Sequence, residues 1–229
     1  MKRAFPILAV LTAVLLTYAL YEALVGAPTE KTMGDVQRIF YYHVPSAWTA
    51  FLLFSINFVA SIVYLIRRST RADALALVSA EVGVVFCTVV LVTGPLWARP
   101  VWGIWWTWDM RLTSTLLLWL IYVSYLALRR FSTSGQTPVL AAALAIFGAL
   151  DVPLVYFSIW IFRTQHPQPV IGGGGSINPR MLHVLLINWA AFLLFAVLIC
   201  WSRYRLEILR RELEETQALE ALLEPRSSR

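Results

Sequence analysis

The chain has 229 residues, of which 59% are hydrophobic and 14% charged, with a formal net charge of +6. A mean hydropathy of +0.68 excludes an ordinary soluble domain and describes a polytopic membrane protein, a helix bundle whose solvent is lipid. The charge needs no nucleic-acid partner, because its placement along the chain accounts for it.

Residues 5–25 are an apolar run long enough to cross a bilayer. A secretory signal is the competing reading, but the run is too long and no clear small-x-small cleavage site follows it, so a retained first helix is expected. A polar loop follows, ending in Tyr41-Tyr42-His43-Val44. The second span is expected over 45–66, opened by Pro45 in a first turn where a missing N–H costs nothing. The third is expected over 72–92, with Gly94-Pro95 opening a tryptophan-rich loop. The fourth covers 112–128 and the fifth 138–162. Asn178 and Pro179 make a helix cap and first helical position for the sixth, 180–201. The expected organisation is all-α: a six-helix transmembrane domain over 1–202, with the tryptophan-rich loop at 97–113, and a charged helical tail over 203–229.

The basic residues divide unevenly between the two sides of this arrangement. Thirteen lie on one side: Lys2, Arg3, Arg67, Arg68, Arg71, Arg129, Arg130, Arg203, Arg205, Arg210, Arg211, Arg226 and Arg229. Six lie on the other: Lys31, Arg38, Arg99, Arg111, Arg163 and Arg180. The positive-inside rule then puts both termini in the cytoplasm and the tryptophan-rich loop, with His43, His166 and His183, at or near the outer face.

The loop holds the densest chemistry in the chain. Trp97, Trp102, Trp105, Trp106 and Trp108 are half of its ten tryptophans. If the middle is helical, Trp102, Trp105, Trp106 and Asp109 fall at i, i+3, i+4 and i+7 on one broad aromatic face, edged by Asp109 and Arg111. Such a face suits a large planar ligand with an apolar middle and an acidic rim. An interfacial aromatic belt is the alternative, but a belt scatters its tryptophans over many helices. His43, before the second span, and His183, one turn into the sixth, can approach the loop from different helices. Two imidazoles can hold a haem iron from opposite faces. Arg111, or Arg99 in its place, suits a propionate. His166, between Gln165 and Pro167, reads as a solvated loop residue.

The string Trp102-Gly-x-Trp105-Trp106-x-Trp108-Asp109-x-Arg111-Leu112-Thr113 resembles the tryptophan-rich WWD signature of haem-handling membrane proteins. His43-Val-Pro-x-Ala-Trp48 is similar to the first-loop motif of the cytochrome c maturation protein C (CcmC) branch. The resemblance covers almost the whole chain. It implies His43 and His183 as axial ligands of haem b, and Trp102, Trp105, Trp106, Trp108, Asp109 and Arg111 as its platform. It also implies delivery of haem, at the periplasmic face of an inner membrane, to the chaperone CcmE, beside the ATPase CcmA and the subunits CcmB and CcmD. Larger relatives with the signature ligate haem to apocytochrome directly and have more spans than this chain.

Other motifs are lacking. No P-loop occurs, so an ATPase is not expected, and Gly172–Gly175 reads as a flexible loop. Cys87 and Cys200 lie in apolar spans without a C-x-x-C, which argues against thiol exchange and covalent haem attachment. Two carboxylates fall inside spans. Asp151, two residues before Pro153, is expected to satisfy N–H groups where proline breaks the fifth helix, and Glu81 to pair within the bundle. A substrate transporter is the rival from another class. It would place its polar chemistry near the midplane, whereas here the chemistry concentrates at one face.

Overall fold

The computed structural model describes residues 4–162, 164–166 and 177–223. The expectations for Lys2, Arg3, Arg163, Gly172–Gly175, Arg226 and Arg229 lie outside these. Among the described residues, six helical segments are long and apolar enough to cross a membrane. The protein is thus an all-α polytopic membrane protein.

Helix α1 (Ala4–Tyr21) is apolar all round and buries only Thr12 and Ala19. It ends in a π-helical turn, Glu22–Gly26. It runs antiparallel to α7 (Pro179–Leu223). Phe5 meets Trp201 edge-on at one end, and Glu22 pairs with Arg180 at the other. Between them, Asn188 donates to the Ala19 carbonyl at 3.3 Å.

A 3-10 turn, Asp35–Ile39, leads into α2 (Phe40–Arg67). The second span therefore starts earlier than expected, and Pro45 lies within the helix. His43 belongs to the first turn of α2 rather than to the loop before it. Arg68, at φ +53°, turns the chain back, and Ser69 caps α3 (Thr70–Trp102) by accepting from Ala72 N–H. The two helices pack tightly at Gly83, where a Cβ would lie 2.7 Å from Phe54 Cε1. Phe54 also stacks on Tyr122 of α4 (Met110–Phe131) at 3.9 Å between centroids.

Helix α3 continues past Gly94 and through both Pro95 and Pro100. The expected stop at residue 92 is thus overturned. Proline removes a donor without closing off a membrane helix when its neighbours re-satisfy the freed groups. The helix ends at Trp102 because Gly103 adopts φ +78°, a left-handed cap whose N–H reaches the Arg99 carbonyl at 3.0 Å.

The fifth span breaks as Pro153 implies, into α5 (Thr137–Ala149) and α6 (Asp151–Ile161). The expected role of Asp151 is not found. Its side chain makes no hydrogen bond, and its buried Oδ2 has no partner among the described residues. Glu81 finds the partner that the sequence did not name. Arg203 meets it through Nη2–Oε1 at 2.9 Å and Nε–Oε2 at 3.0 Å.

Asn178 and Pro179 open α7 as expected, with Arg180 N–H donating to Asn178 Oδ1 at 2.8 Å. The helix then runs through residue 203 into the tail without a break. Buried Asp73 receives Arg129 at 2.6 and 2.7 Å and Arg211 at 2.9 Å, tying α3, α4 and α7 together at the arginine-rich end.

Candidate functional site

At the other end of the bundle, α2, α3 and the approach to α4 converge on His43. Its ring is 8% exposed and lies against α3. Nδ1 is 2.9 Å from Thr93 Oγ1. That hydroxyl spends its only proton on the Val89 carbonyl, 2.7 Å away. Oγ1 is therefore the acceptor and Nδ1–H the donor, which leaves the Nε2 lone pair available to a metal. The Trp97 ring meets the His43 ring edge-on at 5.9 Å.

His166 lies beside the His43 ring. Its ring centroid is 6.4 Å from that of His43, with planes 29° apart, and 6.5 Å from that of Trp102. The sequence treated His166 as a solvated loop residue, but the fold brings it to His43. His183 is not brought there by any contact. Helix α7 buries Met181, Val184, Leu185 and Asn188, and His183 stands exposed between them. Among the described residues it makes no hydrogen bond, ion pair or ring contact.

The helical platform expected over residues 102–109 is overturned. Residues 103–109 are not helical, so the tryptophans do not share one helix face. The left-handed Gly103 ends α3, and Asp109, with ψ near 165°, restarts the chain as the cap of α4. Its Oδ1 accepts from Leu112 N–H at 3.0 Å and its Oδ2 from Thr107 Oγ1 at 3.1 Å. Trp105 and Trp108 are exposed at 56% and 77%, while Trp102 and Trp106 are half-buried. Trp106 and Trp108 meet edge-on at 5.8 Å. The seven-residue link therefore presents some rings outward and turns others in.

Donors without acceptors mark the same segment. Trp97 Nε1, Trp106 Nε1 and Arg111 Nη1 are all buried and have no hydrogen-bond partner among the described residues. Each can only donate, and a buried donor left unpaired costs free energy until an acceptor arrives. Arg99, the substitute for Arg111, is exposed and already donates to the Gly103 carbonyl.

Six apolar helical spans, one end of which gathers two imidazoles, a tryptophan-rich link and unpaired donors, define a class: a polytopic membrane protein with a candidate ligand site at one end. The chain belongs to the heme exporter protein C family, whose profile matches residues 1–219. It is 36% identical over 222 residues to the heme exporter protein C of Bradyrhizobium diazoefficiens, covering 96% of this chain and 84% of that protein. It is 32% identical over 219 residues to that of Escherichia coli K12, covering 95% and 89%. A putative cytochrome c biosynthesis ccmC-like mitochondrial protein of Arabidopsis thaliana is 33% identical over 214 residues, covering 91% and 82%.

Proposed function

We propose that this chain binds haem b as cargo at its tryptophan-rich end and delivers it for cytochrome c maturation. The relatives' names supply the process, and the site supplies a chemistry that fits it. The observation that carries the reading is the His43–His166 pair. Metal–nitrogen bonds of roughly 2 Å on each side of one iron, together with the half-width of each ring, put opposed imidazole centroids about 6 Å apart. The two rings are 6.4 Å apart. His43 Nε2 is the free nitrogen on its ring, oriented by the bond from Nδ1–H to Thr93. In this reading His166, not His183, is the second axial ligand, because His183 is exposed on α7 and without contact to His43.

The remaining residues match the rest of the cargo. Trp102 and Trp106 supply partly buried apolar rings, and the exposed Trp105 and Trp108 cover an edge that a second protein can reach. Arg111 and the indole N–H groups supply donors for propionates, with Arg111 able to present two parallel N–H bonds. Asp109 acts through shape, since its carboxylate starts α4 and so sets where Arg111 stands. The chain ligates, stacks and orients; the reactivity belongs to the haem.

The partners follow from the same reading: the chaperone CcmE as acceptor, the CcmA ATPase with CcmB and CcmD as complex subunits, and the lipid bilayer as solvent. The arginine excess at the opposite end supports a reading with both termini in the cytoplasm and the haem at the periplasmic face of an inner membrane. An absorption spectrum of the protein purified with and without its chaperone tests the proposal. A low-spin haem spectrum without the chaperone, depleted when the haem-free chaperone is added, is the expected result. Protein that takes up no haem under either condition contradicts it.

A further inference from the structure

The hairpin of α2 and α3 carries an apolar groove with a cationic mouth. The groove, of about 370 Å³, runs between Ser55, Val59 and Val63 of α2 and Ala72 and Leu75 of α3. Its one polar wall residue, Ser55, donates its hydroxyl to the Phe51 carbonyl at 2.8 Å. Residues four apart share a helix face. The α2 wall therefore continues one turn further into Arg67, and the α3 wall begins one turn earlier at Arg71. Arg68 stands at the turn between them, its guanidinium 5.8 Å from the centre of the Tyr64 ring. All three arginines are exposed.

These arginines differ from others at the same end of the bundle. Arg129 and Arg211 are spent on Asp73, and Arg203 on Glu81. Arg67, Arg68 and Arg71 meet no carboxylate among the described residues. Three exposed guanidinium groups so close in the chain build a local positive potential. Each can hold phosphate oxygens through two parallel N–H bonds. The mouth of the groove thus suits an anion.

Shape decides what the anion is attached to. Ser55 and Val63 are about 12 Å apart along α2, which gives the groove a mean cross-section of roughly 30 Å². A helix about 10 Å across needs roughly 80 Å², so a partner's transmembrane helix does not fit. A second copy in the same membrane would bring identical arginines against these. A single hydrocarbon chain fits, and its length places a head group at the mouth. Ser55 stands about 18 Å from Arg67, close to the depth of one leaflet in a core of about 30 Å. We propose that the α2–α3 groove binds an anionic phospholipid. One acyl chain lies along Ser55, Val59 and Val63, and the phosphate meets Arg67, Arg68 and Arg71. The inference stands apart from the haem reading, since it uses none of the same residues.

The test titrates the full chain, purified in detergent, with dioleoyl phosphatidylglycerol or dioleoyl phosphatidylcholine and reads bound lipid by native mass spectrometry. The two lipids share acyl chains and differ in net charge. Phosphatidylglycerol should bind at least tenfold more tightly. The variant with Arg67, Arg68 and Arg71 changed to glutamine should hold it no better than phosphatidylcholine. Val59→Trp fills the groove from its exposed side, leaves the arginines in place, and should weaken phosphatidylglycerol at least threefold. Glycerol phosphate, a head group without chains, should compete poorly. With p-benzoylphenylalanine at position 59 in native membranes, the crosslinked species should be phospholipid. Equal binding of the two lipids, which describes a plain lipid annulus, would overturn the proposal. So would an undiminished preference in the glutamine variant, competition by glycerol phosphate as strong as that of the lipid, or a crosslink from position 59 to a second copy of this chain or to another protein.

Discussion

Thr93 orients His43: the hydroxyl that accepts from His43 Nδ1–H has its own proton committed to the Val89 carbonyl one turn back. One residue of α3 thus fixes both the tautomer and the tilt of an imidazole on α2. Removing the acceptor while keeping the shape, as Thr93→Val does, frees the ring to exchange tautomers. Such outer partners of metal-bound histidines are worth about 10–100-fold in affinity. Haem titration of Thr93→Val should show a loss in that range, with Thr93→Ser close to wild type. Equal affinity in all three would detach Thr93 from the site.

Among the described residues Arg111 carries a buried Nη1 without a partner, whereas Arg99 is spent on the Gly103 carbonyl. Arg111→Lys should therefore weaken haem retention. Hydrogen bonds to charged groups are worth about 1.5–3 kcal/mol, which is roughly tenfold or more in affinity. Arg99→Lys should have little effect. Haem content per purified molecule measures both, and the opposite ranking would exchange their roles.

The tryptophans divide by exposure. Offset aromatic contacts contribute about 0.5–1.5 kcal/mol each beyond area, so a single Trp→Ala change should cost up to about tenfold. Trp102→Ala and Trp106→Ala should lower haem per inserted protein. Trp105→Ala and Trp108→Ala, at the exposed edge, should reduce transfer to the chaperone more than binding. Trp→Phe should be milder throughout. If the rings were a membrane belt, protein level would fall instead and haem per molecule would stay constant.

At the far end, Asp73 is buried between Arg129 and Arg211. Asp73→Ala leaves a buried guanidinium unpaired and should cost about 3–5 kcal/mol of stability. Arg211→Ala should cost less, because Arg129 still satisfies Asp73. Unfolding in detergent ranks the two, and haem bound per folded molecule should be unchanged in both. A larger loss from Arg211→Ala would point to the tail, not the carboxylate, as the keystone.

Six spans, the cap at Asn178 and the break near Pro153 were legible because hydropathy, capping and proline act locally. What failed was the reading of proline and glycine around the tryptophans. Pro95 and Pro100 look like loop residues, yet α3 carries them, since a membrane helix packed along its length can do without two donors. Gly103 was the true stop, and its left-handed φ is a property of the backbone that the sequence only permits. The approach of His166 to His43 was missed for another reason. Its flanking residues are those of a loop, and only the fold brings it within 6.4 Å of a histidine 123 positions earlier. Glu81 and Arg203 show the same limit, as partners far apart in sequence on different helices.

One comparison decides which two imidazoles hold the iron. Haem spectra of the purified full chain should be recorded for wild type, His43→Ala, His166→Ala and His183→Ala, each with and without added imidazole. A low-spin wild-type spectrum should be lost in His43→Ala and in His166→Ala and partly restored by imidazole, while His183→Ala stays close to wild type. Loss of the low-spin signal in His183→Ala, with His166→Ala unchanged, would make His183 and not His166 the second ligand.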